Sequence, residues 1–107
     1  MNINYILYEN LKEIENKEIE NKKTLKKFLM KILKEKYKNK DLISINYFKK
    51  SNTFYIHLYK NYKSIENLKL SIKINIFYNE KIKSNEIYFL IKDLLRYNNY
   101  RYEIKEI

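Results

Sequence analysis

No glycine, proline, cysteine, tryptophan, alanine, valine or glutamine occurs anywhere in the chain. Without glycine, a phosphate-cradling loop of the Walker or dinucleotide type is excluded. Without cysteine there are no disulfides, no thiolate chemistry and no zinc finger. Without proline or glycine, turns lose their usual punctuation, and asparagine is left as the residue best able to take a left-handed conformation. No stretch approaches the roughly 20 apolar residues of a membrane helix. The N-terminus also lacks the basic start and small-residue cleavage site of a signal peptide. A single cytoplasmic domain over residues 1–107, without membrane contact, is the expectation.

What fills the 107 positions is mostly Lys, Ile, Asn, Leu and Tyr, a composition that an AT-rich gene favours. The formal charge is nevertheless +10, from 23 basic and 13 acidic residues. It is unevenly spread. Residues 1–21 carry five Glu (Glu9, Glu13, Glu15, Glu18, Glu20) against Lys12 and Lys17, while the rest of the chain carries a large positive excess. A body this basic attracts phosphate-rich partners or acidic protein surfaces.

Helical spacing runs from Ile3 to Lys38, with Leu7, Leu11, Ile14, Leu25, Phe28, Leu29 and Ile32 within one stripe. One unbroken helix of that length would span about 54 Å, too long for a domain of this size. Two helices are predicted, about residues 3–15 and 22–38. The tandem repeat Glu-Ile-Glu-Asn-Lys at residues 13–22 reads as the charged joint between them, with Glu13–Lys17 and Glu18–Lys22 at helical i, i+4 spacing.

The period then changes to two. Residues 42–48 and 53–59 read as a hairpin whose turn, Lys50-Ser51-Asn52, places Asn52 in the left-handed region. Leu68, Leu70, Ile72, Ile74 and Ile76 mark a third strand. Ser84 is expected to cap a final helix to about Tyr97, with Ile87, Leu90, Ile91, Leu94 and Leu95 buried. Alternation of Tyr100, Tyr102 and Ile104 adds a final edge strand. The predicted class is α+β: an N-terminal helix or helix pair, a three-stranded antiparallel sheet, a C-terminal helix and the edge strand, in the order ααβββα(β).

The helix, three-strand, helix order over residues 22–97 is similar to that of the double-stranded-RNA-binding domain. The resemblance implies RNA contact through the loop after the hairpin and the start of the last helix. The chain departs from it at both places. Asn61-Tyr62-Lys63-Ser64 holds neither Gly nor Pro, and the last helix opens Ser84-Asn85-Glu86 with no basic pair.

Two surfaces stand out. Lys23, Lys27, Lys31, Lys34 and Lys38 form a stripe opposite the apolar side of the second helix, matched to a phosphate backbone. Strand alternation sends Phe48, Tyr55, His57, Tyr59, Lys69, Lys73 and Phe77 to the outer face of the sheet, where rings interleaved with cations suit stacked bases. His57 has no evident nucleophile or orienting carboxylate, and no acidic or histidine cluster has metal-ligand spacing. The expectation is a small basic non-enzymatic protein, without cofactor or metal, that binds RNA or single-stranded nucleic acid. The alternative is an inhibitor or adaptor from a phage or mobile element, docking on a host nucleoprotein such as a CRISPR effector, or a homodimer through the sheet face.

Overall fold

The computed structural model describes residues 3–9, 11–77 and 84–107. Its N-terminal segment is not a helix. Strand β1 (Ile3–Glu9) folds back against β2 (Lys12–Ile19) as an antiparallel hairpin. Ile3, Tyr5 and Leu7 alternate with Asn4, Ile6 and Tyr8, and the period of two prevails over the helical spacing because β1 zips along the apolar β5. Its register runs from Ile3 opposite Ile76 to Glu9 opposite Leu70. All three odd-numbered residues are buried as a result.

The pentapeptide repeat is thus β2 with the turn that follows, not a helical joint, and the i, i+4 pairing expected of its Glu and Lys residues does not arise. An odd repeat length also suits a strand poorly. Ile19 lies buried opposite Ile3, but Ile14 is 50% exposed at a bulge where the register slips between Leu7 and Tyr8. Seven of the eight β2 residues are exposed, which fits a charged strand at the edge of a sheet.

Helix α1 (Lys22–Lys36) follows, close to expectation, with Leu25, Leu29 and Leu33 buried. The Asn21 side chain caps it, accepting from the Thr24 N–H at 2.9 Å. Strands β3 (Leu42–Phe48), β4 (Thr53–Tyr59) and β5 (Leu68–Ile76) form the expected meander, and Asn52 takes the left-handed turn position at φ 48°. Helix α2 (Ser84–Tyr97) buries Ile87, Ile91, Leu94 and Leu95. The Ser84 side chain, expected as its cap, lies outside the described residues. The tail forms β6 (Tyr102–Glu106), the expected edge strand, running parallel to β3.

The sheet therefore has six strands rather than three, is mixed rather than antiparallel, and is ordered β2-β1-β5-β4-β3-β6. This is a strand-rich α+β architecture. The helix, three-strand, helix order of residues 22–97 survives inside it, extended by β1 and β2 beyond β5 and by β6 beyond β3.

A single apolar core joins the inward positions of β1, β3, β4 and β5 to both helices. Tyr5 stacks on Phe28 of α1 at 3.8 Å between centroids, and Tyr47 meets Tyr88 of α2 at 5.9 Å. Both helices consequently cover the same face of the sheet. The C-terminal end of α1 is held by an ion cluster. Buried Asp41 accepts from the Lys38 N–H at 2.8 Å and from the Lys69 ammonium at 2.6 Å, and Lys69 also donates to the Lys36 carbonyl.

Lacking glycine, the chain bends through Leu11, Lys40, Asn52, Asn61 and Asn99 at positive φ. Leu11 (φ 67°) is the least suited, since a left-handed backbone costs a residue with a branched side chain about 1–2 kcal/mol, and at 74% exposure it gains little packing in return. Leu11→Gly is expected to raise stability by about 1 kcal/mol in urea titration. A loss of stability would show that Leu11 makes contacts outweighing its backbone strain.

Candidate nucleic-acid interface

With α1 and α2 on one side, the other face of the sheet is covered by no helix among the described residues. Its composition follows from the register. Tyr8, Ser71, His57, Ser44 and Glu103 lie in one row across β1, β5, β4, β3 and β6. Ile6, Lys73, Tyr55, Asn46 and Lys105 form the next, and Asn4, Asn75, Thr53 and Phe48 the third. Successive rows are about 6.8 Å apart, two residues of strand rise.

Strand β4 is the spine of this surface, because Tyr55, His57 and Tyr59 occupy three consecutive outward positions and are all partly exposed. Phe48 meets Tyr55 edge-on at 5.4 Å, and the Lys73 ammonium sits 5.8 Å from the Tyr55 ring centroid. The His57 and Tyr59 rings are 6.1 Å apart. Phe77, 49% exposed, borders a shallow depression of about 300 Å³ with Ile6 and Lys73. Six of the residues singled out from sequence, Phe48, Tyr55, His57, Tyr59, Lys73 and Phe77, are thus gathered on one surface.

The other six are elsewhere. Lys23, Lys27, Lys31 and Lys34 are exposed along α1 on the side opposite Leu25, Leu29 and Leu33, and Lys38 lies just beyond its end. They face solvent from the helix layer, so the thickness of both layers separates them from the sheet rings. Lys69 was expected on the outer face by alternation, but the β4–β5 register slips between Leu58 and Tyr59. That irregularity turns Lys69 toward buried Asp41, where it serves structure.

Around His57 the fold supplies partners that the sequence concealed. Its Nδ1 lies 2.7 Å from Ser71 Oγ on β5. On the other side Ser44 Oγ donates to Glu103 Oε1 at 2.8 Å, and the Lys63 ammonium donates to the same oxygen at 2.7 Å. The Lys63 and Ser44 hydrogen bonds hold the Glu103 carboxyl below the usual carboxylate range. Burial, helped by the Lys63 charge, pushes the His57 imidazole down. A serine beside a neutral histidine is the beginning of a nucleophilic pair. Among the described residues, however, no carboxylate bonds to the imidazole to orient it. Among the described residues no group of acidic, histidine or cysteine side chains could hold a metal ion.

Tyr8 and Ile6 were missed because their segment was read as helix, although their alternation with Tyr5 and Leu7 was the available signal. Glu103 and Lys105 follow from the alternation of the tail. Lys63 had none, since it comes from a loop. Comparison with known proteins adds no relative to this geometry, as no family model, no curated protein and no solved structure matches the chain. No helix of the described residues is long and apolar enough to cross a membrane.

His57 is the sole histidine, which makes its shift testable. Its folded pKa lies below the ordinary 6.5, so the unfolded chain takes up more protons as pH falls past that value. Stability is full above it and declines below it. The urea midpoint is expected to drop between about pH 7.5 and about pH 5.5 in the native chain and to drop less in His57→Gln. Equal drops would mean that His57 titrates alike in both states.

Proposed function

We propose that this chain is a non-enzymatic binding protein for RNA or single-stranded DNA, with the uncovered sheet face as its contact surface. The observation that carries the reading is the run of Tyr55, His57 and Tyr59 on consecutive outward positions of β4, flanked by Phe48 and by Lys73 over the Tyr55 ring. Flat rings at regular spacing give unpaired bases a stacking platform, worth about 1–3 kcal/mol per base and tolerant of sequence. Duplex ends and grooves offer no such splayed bases.

Charge favours one half of the face. Glu13 and Glu18 project beside Tyr8 and Asn4 at the β2 edge, whereas Lys105 and Lys63 lie toward β6. A strand is expected to cross β5, β4, β3 and β6 and to avoid β2. The α1 lysines lend long-range attraction from the far side, not contacts. Nor does the geometry favour duplex RNA by way of the last helix, because Glu86 in its first turn is joined to Lys22 at 3.3 Å.

A protein partner is the second reading, and a different feature favours it. Among the described residues no strand pairs with the outer backbone edge of β2, and seven of its eight residues are exposed, which is the arrangement that strand addition uses.

Titration of a labelled RNA of roughly 20 nucleotides separates the surfaces. Tyr55→Ala with Tyr59→Ala is expected to weaken binding at least tenfold, about 1.4 kcal/mol, without matching loss of stability. Lys27→Glu with Lys31→Glu is expected to change it by less than roughly threefold at moderate salt, where charges more than a Debye length away are screened. The reverse ranking would move the contact to α1. No binding at any salt would remove the nucleic-acid reading and leave the β2 edge.

A further inference from the structure

Resting on that reading, we propose that Glu103 and Lys63 read a base edge and give the site a preference for guanine. The two side chains meet at the β6 side of the platform, one strand beyond Ser44 and two beyond His57. At about 4.8 Å per strand, the Glu103 backbone lies roughly 10 Å from that of His57. A base stacked on the rings of β4 with its Watson–Crick edge turned toward β6 spans that gap.

What makes the pair a reader is how it is held. Glu103 Oε1 receives both Ser44 Oγ and the Lys63 ammonium, so its two lone-pair directions are occupied. Among the described residues no donor reaches Oε2, and at 49% side-chain exposure the group is open to solvent. The carboxylate is therefore oriented by two donors on one oxygen and presents the other as an acceptor. Lys63 has spent one of its three N–H bonds on Glu103 and keeps two. The edge that the site offers is an acceptor beside a donor.

Among the four bases, guanine matches this edge best. Its N1–H and N2–H are adjacent donors that converge on Oε2, while O6 beside them accepts from Lys63. Adenine and cytosine offer the carboxylate one amino group. Uracil places N3–H between two carbonyls, and these bring acceptors against the carboxylate. A well-placed pair of hydrogen bonds to a base edge discriminates by roughly five- to hundredfold.

The test uses the full chain and four labelled 11-nucleotide RNAs: oligouridine, the same strand with one central guanosine, the same with central inosine, which lacks only the N2 amino group, and the same with central adenosine. The guanosine strand is expected to bind at least fivefold more tightly than oligouridine and more tightly than the adenosine strand. Inosine is expected to lose a large part of that gain, and Glu103→Gln to reduce the preference for the guanosine strand over oligouridine to within about twofold. Equal binding of all four strands, or a guanosine preference that persists in Glu103→Gln, overturns this inference and leaves the sheet-face reading standing. If none of the strands binds, both fail together. Because Ser44 and Lys63 exchange a charged acceptor for a neutral amide oxygen in Glu103→Gln, a urea midpoint within about 1 kcal/mol of the native value is needed for the comparison.

Discussion

Everything in this molecule follows from burial on one face of one sheet. On β5, Leu70, Ile72, Ile74 and Ile76 point one way and Ser71, Lys73 and Asn75 the other. β1, β3 and β4 repeat the pattern in register. Apolar area is removed from water only where both helices lie, at about 25 cal/mol per Å². Among the described residues no further helix lies over the second face, and that face is composed to stand in water. Its rings are half-buried against their neighbours, and its serines and asparagines bond across strands, as Asn75 does to Thr53 at 2.8 Å. The open surface is the direct consequence of a one-sided core.

The same constraint explains what the sequence disclosed. Where apolar residues alternate without interruption, as in residues 42–48, 53–59 and 68–76, strand and face are legible, and with them Phe48, Tyr55, His57, Tyr59 and Lys73. Residues 3–19 were not. Leu7, Leu11 and Ile14 fit a helical stripe as well as Ile3, Tyr5 and Leu7 fit a strand, and the turn between the two strands carries no glycine or proline. The deciding fact is tertiary: β1 has an apolar strand, β5, to pair with. A leucine at positive φ is invisible to any propensity. Lys69 escaped for a related reason, since a single register slip reverses the side to which a strand residue points.

Charge is distributed less simply than the composition suggests. Five lysines on α1 and its C-terminal flank face solvent away from the sheet, and an acidic strand closes one edge of it. The sheet face itself is close to neutral, with Lys73, Lys105 and Lys63 against Glu13, Glu18 and Glu103. On the proposed reading the +10 total acts on polyanions at a distance, and selectivity belongs to rings and to oriented hydrogen-bonding groups. Two neutralised phosphates at the face would give a shallow salt dependence, about −0.7 per phosphate for a single strand.

The most direct measurement of the central claim is the position of a covalent mark. A single-stranded RNA carrying 4-thiouridine, irradiated with the protein and digested, reports which peptides touch its bases. Crosslinks are expected on peptides containing Phe48, Tyr55, His57 or Tyr59, with none on residues 23–38. Crosslinks confined to residues 23–38 would contradict the account and make the helix layer the contact surface.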